Sequence, residues 1–507
     1  MNIVNKNEGN ERKLSKNEGV LEGELLEVMY VGLETEDEHE LKPENGSSQT
    51  NTLFLYLTVL VIQMPILISG SQIVWNSPSI PKITSNDSQI NPLDHPATTI
   101  DISMIAGIPG LAGLIGTLVL PKFSNILGRK LILQVMVCFT LLGSLLLTFS
   151  RSVTVIIVSR CIISIFLHGA VAIVPIYITE ICEDHNRAKF GCFLGLFHQI
   201  GHFYTFVVGP LFSYKMFNVF ISLPAIPFLA LFIFFPESPA YLLSKGKRTR
   251  CVKALKKLRR NKTDKEIEED VRKLEETVKS KERAKQNSSI LSLFQTKESR
   301  TGLMLAMLPL MVNHLSGVAV IMSFLAPFFN SAGTGISGHK VGVMASTAKI
   351  VCFGITSSVV ERVGRRRMLF LSSLATGVPL FGLGCYFYLK HINSPIIHEL
   401  QWLPLILVLS DVTFYSLGLG PIPISVMHEM FSAEHRAAAG SFLMSVMVIV
   451  MFLLTSSFPI IAATIGTHWA VWLFSFSCFL GSFFIYRYLP ETSGKSLLQI
   501  QEMLKNY

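Results

Sequence analysis

Residues 418–437 read GLGPIPISVMHEMFSAEHRA, and this stretch decides how the rest of the chain is read. It is apolar enough to lie in a membrane, yet Gly418, Gly420, Pro421 and Pro423 interrupt any regular helix there. It ends in a carboxylate and a guanidinium seven residues apart, Glu429 and Arg436. The earlier segment PIYITEICEDHNRA repeats that ending, with Glu180 and Arg187 at the same spacing. A broken apolar helix and a duplicated charged corner predict a membrane protein made of two similar halves.

Composition agrees. Of 507 residues, 50% are hydrophobic and 16% charged, too apolar for two ordinary soluble domains. Nearly uncharged runs of about 20 residues recur, each long enough to cross a hydrocarbon core. Twelve spans are predicted, at about 52–74, 101–122, 131–149, 153–176, 190–211, 217–235, 301–328, 341–360, 368–389, 402–426, 438–462 and 467–488. The formal charge of +9 does not indicate nucleic acid, because the basic residues concentrate in a few loops. Nineteen Lys and Arg fall between Lys245 and Arg300, which places the 236–300 linker in the cytosol. An even number of spans then puts both termini there.

The predicted organisation is a disordered cytosolic tail (1–51), a six-helix bundle (52–235), a cytosolic helical linker (236–300), a second six-helix bundle (301–489) and a short cytosolic tail (490–507). Within the linker, TDKEIEEDVRKLEETVKSKERAK has acids early and bases late, as a helix dipole favours. Of four Asn-x-Ser/Thr sequons only Asn86 falls in an outer loop and is expected to carry glycan. The eight cysteines have no metal-ligand spacing, so neither a disulfide framework, a metal nor a cofactor is expected.

Three motifs recur in the same order. NILGRK (125–130) corresponds to ERVGRRR (361–367), Glu180 and Arg187 to Glu429 and Arg436, and PESP (236–239) to PETS (490–493). Carboxylates and guanidiniums on neighbouring turns can pair across two halves when one side is shut and separate when it opens. With SGSQIVWNSPSIPKI, PIYITEI, PESPAYLLSKGK, NHLSG, GPIPISVMHEMF and PETSGKSL, these motifs resemble the sugar-porter family of major facilitator transporters over about residues 52–502. The likeness is greatest to its insect trehalose- and glucose-facilitator branch. The resemblance implies an all-α membrane fold of twelve helices in two pseudo-symmetric bundles, alternating access around a midplane site, and a plasma-membrane location. It also implies that Arg129, Glu180, Arg187, Glu361, Arg365, Arg366, Glu429 and Arg436 form a cytosolic gating network. Asn125 departs from it, standing where the family's first motif usually has an acid.

The substrate positions depart further. The family's Gln-Gln-x-Ser-Gly-x-Asn in span seven reads Asn313, His314, Leu315, Ser316, Gly317, Val318, Ala319 here, and the aromatic pair that follows is Ser323 and Phe324. Gly195 replaces a pocket glutamine, Ile424 a tryptophan, and Met447 and Val448 an Asn-Trp pair. Ser416 completes the set of positions the resemblance assigns to substrate. Gly195, His198 and His202 share one helical face, and His168 and His314 also lie in apolar helices. His198 and His202 have ligand spacing but no third ligand, so they are read as pocket wall rather than metal site.

Lys349 lies twelve residues before Glu361, about 18 Å along a helix, and Asp411 lies well inside span ten. Buried charges in a bilayer pair or line an aqueous path. The expectation is therefore that Lys349 and Asp411 pair, or that Lys349 meets an anionic group. The leading function is facilitative transport of a small polar molecule, a sugar such as trehalose or a hexose. The alternatives are a carrier for another polar or anionic organic solute, possibly proton-linked, and a non-transporting membrane sensor. No nucleophile–base pair or metal cluster indicates an enzyme.

Overall fold

The structure, a computed structural model, describes residues 52–287, 291–432, 435–495, 497–505 and 507. The 1–51 tail expected to be disordered, and the Glu361 side chain of the expected charge network, lie outside the described residues. Thr50–Tyr507 form one compact unit.

Every regular element among the described residues is a helix, the arrangement that satisfies backbone polar groups within each span. Twelve spans run Leu53–Ile73, Thr99–Leu127, Arg129–Thr148, Val153–Ile181, Asp184–Leu211, Tyr214–Phe232, Lys297–Ser323, Gly338–Val363, Arg365–His391, Leu403–Glu429, Arg436–Ile461 and Thr467–Tyr488. Nine helical stretches among the described residues are long and apolar enough to cross a membrane, one of which, Ala438–Tyr488, holds spans eleven and twelve. The two spans outside that set are five and eight. Span five carries His198, Gln199 and His202, whose polarity lowers its hydropathy, and span eight carries Ser346 and Lys349.

Four spans are broken, one, six, seven and ten, and only the break in span ten was expected; span six divides at Leu223 and Pro224, between Tyr214–Ser222 and Ala225–Phe232. Span one divides at Gln63, where Pro65 follows in the first turn of the next segment and cannot donate the N–H that would continue the helix. It resumes beyond Val74 as Asn76–Ile83. Span seven breaks at Gly317, whose φ of +71° is left-handed and over which the Phe474 ring packs so closely that a Cβ would collide. Span ten stops at Leu417 and restarts at Ile422, the interruption expected from the glycines and prolines between them.

One apolar core lies wholly in the first half and Leu258 of the linker, built around residues such as Leu133, Ile173, Tyr177 and Phe228. Another, with Leu310, Leu369, Met447 and Ile485, lies in the second. A third joins them, bringing Val74, Ile80, Ala106 and Phe206 against Phe324, Leu325, Phe328 and Phe458. The linker forms helices Pro239–Ser244, Arg248–Leu258 and Asp264–Asn287 around Leu242, Cys251, Leu255, Ile267 and Val271. It is fastened to the end of span four through Glu183, which meets Lys262 at 2.6 Å, while Asp270 holds the same lysine at 3.0 Å.

Candidate functional site

Two charged corners, one per half, sit on the linker's face of the protein. In the first, Arg129 grips Glu180 with two parallel bonds of 3.0 Å each, the bidentate geometry that makes arginine–carboxylate pairs strong. Glu237 of the PESP motif accepts the backbone N–H groups of Arg129 and Lys130 at 3.0 and 3.1 Å. In the second, Arg365 reaches Glu429 at 2.7 Å. Glu491 of the PETS motif accepts the N–H groups of Arg365 and Arg366 at 2.9 and 3.1 Å. Each acid therefore caps the first turn of a span, where unpaired N–H groups and the helix dipole favour negative charge.

The glycine before each arginine is required by this geometry. Gly128 and Gly364 have φ of +101° and +91°, and a Cβ on either would run into the capping carboxylate. Burial raises the Glu237 carboxyl above its ordinary range, opposed by the N–H groups of Ser238, Lys130 and Arg129.

The sequence motifs contained Glu237 and Glu491 without revealing their role. The carboxylates and guanidiniums of the two corners were expected to pair across the halves when this side is shut, and the pairs described lie within them. Glu180 and Glu429 take Arg129 and Arg365 instead, while Arg187 donates to the Thr179 carbonyl at 3.5 Å and Arg436 to that of Phe431 at 3.3 Å.

On the opposite face the halves are bonded together. Asn76 donates to Ser323 at 2.8 Å, the Ala326 N–H to Ser77 at 2.9 Å, and Ser323 to the Ile73 carbonyl at 3.1 Å. Ser103 donates to the Ser456 carbonyl. Behind Asn76 lies a buried charge that sequence reading missed. Arg160 donates to Asn76 and to the Ile105 carbonyl, with its guanidinium 4.4 Å from the Trp75 ring. Its span-four position surrounded by apolar residues was the available signal.

Spans five and eight meet along the middle of the seam. Phe353 of span eight lies against Gly195, where a Cβ would be 2.5 Å from its ring. Phe206 of span five lies in the same way against Gly342. Eleven residues separate the paired positions on each helix, so the two antiparallel spans keep one register. Gly195, Gln199, His202 and Phe206 form one face at i, i+4, i+7 and i+11, and Gly342, Ser346, Lys349 and Phe353 form the other. The register sets Gln199 opposite Lys349 and His202 opposite Ser346.

The expected substrate residues separate into groups. His198 and His202 touch edge to face with ring centres 5.0 Å apart. Asn313 donates to the Tyr415 hydroxyl at 2.9 Å and the Leu419 carbonyl at 2.6 Å, binding span seven to the break in span ten. His314 bonds the Leu310 carbonyl at 2.9 Å, and His168 bonds that of Ser164 at the same distance. Ser416 donates to the Val412 carbonyl at 2.6 Å.

Ser323 is buried in the contact with Asn76, Met447 lies in the second half's core, and Ile424 is half exposed. Ala319 lies in the short segment Val318–Ser323. Lys349 stands 5.8 Å from the Tyr415 ring. The direct Lys349–Asp411 pair is absent among the described residues. The two are electrostatic neighbours, but both Asp411 oxygens are buried without a hydrogen-bond partner. No group of three or more metal-ligating side chains occurs among the described residues.

A family model described as Sugar (and other) transporter matches residues 36–504. The chain is 30% identical over 486 residues to the facilitated trehalose transporter Tret1 of Polypedilum vanderplanki, covering 94% of each protein. It is 28% identical to the Tret1 of Anopheles gambiae, covering 92% of this chain and 58% of that one. The chain thus spans little more than half the length of that relative. Among solved structures it is similar to the inward-open xylose transporter XylE of E. coli, with a TM-score of 0.70 at 17% identity, covering 89% of this chain and 99% of that one. The partially occluded inward-open form gives 0.69, covering 88% and 100%.

Proposed function

The chain belongs to the sugar (and other) transporter family and is a multi-pass membrane protein with the major facilitator fold, and from that we propose that it carries a sugar across the membrane by alternating access. The observation that carries the reading is the asymmetry of the two faces. Among the described residues, hydrogen bonds join the halves opposite the linker, whereas on the linker's face the Arg129–Glu180 and Arg365–Glu429 pairs each lie within one half. A carrier shut on one side and free to part on the other has this pattern. The trehalose relatives favour a facilitative carrier of trehalose or a hexose.

The positive-inside rule supports a cytosolic linker and cytosolic termini, with Asn86 exposed on the outer side as a glycan acceptor, and the plasma membrane is the expected location. The repeated Arg129–Glu180–Glu237 and Arg365–Glu429–Glu491 corners support a gating role, each holding the start of one span and the end of another as a unit. His202 and Lys349, near the middle of the membrane, are the polar wall that replaces the family's missing amides.

The test is uptake of radiolabelled trehalose and glucose into proteoliposomes holding the purified chain. Saturable uptake, abolished by excess unlabelled sugar, is the expected result. Proteoliposomes no more permeable than protein-free ones would overturn it.

A further inference from the structure

The linker helix Arg248–Leu258 is tied down at the rim of the spans. Its buried face is Cys251, Ala254, Leu255 and Leu258. The Thr52 hydroxyl, at the start of span one, donates to the Leu258 carbonyl at 2.8 Å. Lys257 donates to the Phe234 carbonyl, just beyond span six, at 2.5 Å. Phe234 and Ile233 are exposed there, as are Ile126 and Leu127 at the end of span two. Exposed apolar side chains gathered at the end of membrane spans mark a contact with lipid.

Between this helix and the ends of spans two and six lies a cleft of about 440 Å³, lined on one side by Lys247, Arg250, Lys253 and Lys257 and on the other by Leu127 and Pro236. Arg250, Lys253 and Lys257 recur at i, i+3 and i+7, so one helical face supplies them. The carboxylate of Glu237, also in the lining, is committed to the N–H groups of Arg129, Lys130 and Ser238.

The basic residues of this helix and its cap divide into two sets. Arg248 pairs with Glu268 and Glu275, and Lys256 with Asp264 at 2.7 Å. The cleft's set has no such partners. Lys247, Arg250 and Lys253 are exposed and make no ion pair among the described residues. Lys257 has the Phe234 carbonyl and the Phe54 ring, 5.2 Å away, but no acid. The linker's acids thus neutralise the side of the helix away from the cleft and leave the lipid rim positive. A basic cluster at that depth attracts anionic headgroups, and each charge adds to the attraction.

We infer that the cleft binds the headgroup of a polyanionic phospholipid, a phosphorylated phosphatidylinositol, from the leaflet on the linker's side, with its acyl chains against Ile126 and Leu127. The charge count selects the class. A phosphodiester brings one negative charge and each phosphomonoester about 1.5 to 2 more, so a diester with two monoesters matches the four cations. The apolar wall selects a lipid over a soluble phosphate, because it continues into the exposed ends of the spans. The site stands apart from the transport path and does not depend on which solute the chain carries.

The test is native mass spectrometry of the purified full chain in detergent, titrated with dioctanoyl forms of phosphatidylinositol bisphosphate, phosphatidylserine and phosphatidylcholine. The bisphosphate lipid is to bind about tenfold or more above phosphatidylserine, and phosphatidylcholine weakest of the three. The double variant Arg250→Gln/Lys253→Gln is to lose about thirtyfold in affinity for it, the effect of two surface charges. Arg250→Lys/Lys253→Arg keeps the charges and is to retain binding. Lys265→Gln/Lys279→Gln removes two exposed linker lysines outside the cleft and is to bind as the wild type does.

Equal affinity for the three lipids, or a glutamine pair in the cleft that binds as well as the wild type, overturns the inference. An equal loss in the Lys265/Lys279 pair does so too, since the attraction would then be diffuse. Inositol trisphosphate or a polyglutamate peptide binding as tightly as the lipid also overturns it, because the occupant would then be soluble. Sugar uptake by the wild type is read separately, so the carrier reading stands or falls on its own result.

Discussion

The carboxylate of Glu237 accepts the backbone N–H of Arg129 at 3.0 Å across 108 residues of chain, and the same acid takes the next N–H as well. Glu491 does this for Arg365 and Arg366. The acid is thus a cap supplied from the end of a half to the start of its third helix. Replacing Glu237 or Glu491 by alanine strands these N–H groups, together with that of Ser238 or those of Thr492 and Ser493, and each change is expected to cost about 1–3 kcal/mol. Thermal melting of the purified variants, read by intrinsic fluorescence, checks this. Melting points equal to wild type would contradict it.

Gly128 and Gly364 should tolerate substitution worse than other glycines at exposed turns. Alanine at either meets both a left-handed backbone and the capping carboxylate, a combination costing about 1–3 kcal/mol from the backbone alone. Gly246 is the control, with a φ of +69° but open space around it. Ranked expression and melting of Gly128→Ala, Gly364→Ala and Gly246→Ala should place the first two below the third.

Restoring the family's amide at position 195 is expected to fail. Gly195→Gln drives a side chain into the Phe353 ring and should reduce uptake by at least tenfold, with trafficking to the membrane measured in parallel. Adding Phe353→Ala should recover part of it. A single Gly195→Gln variant with full activity would show that the two helices do not pack as described.

Arg129 and Glu180 should behave as one unit. Alanine at either position removes the bidentate pair, and each is expected to slow uptake by about tenfold, the scale of a charge-assisted bond. The double variant should be little worse than either single one. Additive losses would mean that each acts separately.

Cys182 and Cys251 should be inert. Burial pushes the Cys182 thiol up to about 12 and the Cys251 thiol up to about 11, and only the thiolate reacts readily. Maleimide treatment of the native protein at neutral pH, followed by peptide mass spectrometry, should leave both unmodified, and both should react after unfolding in detergent.

Much of this was legible in the sequence because hydropathy and charge act locally. The spans, the basic linker and the duplicated corners each announce themselves within a few tens of residues. The errors came where a side chain's partner lies on another helix. The charged corners were expected to pair across the halves, yet Glu180 takes Arg129 of its own half, because the turn at Gly128 delivers a guanidinium to it. Asn313 looked like a sugar ligand by position, and only the fold brings the span-ten break within its reach.

The seam was half visible. GLFHQIGHFYTF and GVMASTAKIVCF carry the same spacing of glycine, two polar residues and phenylalanine. No rule of one-helix periodicity says that these two faces oppose each other in reverse order.

That reverse order limits how the halves can move. With Phe206 seated on Gly342 and Phe353 on Gly195 in one register, a slide along the helix axis would unseat both rings at once. Swinging about the outer seat would free only the inner one. The seam therefore favours rotation, which releases one seat at a time, over translation, which must release both together.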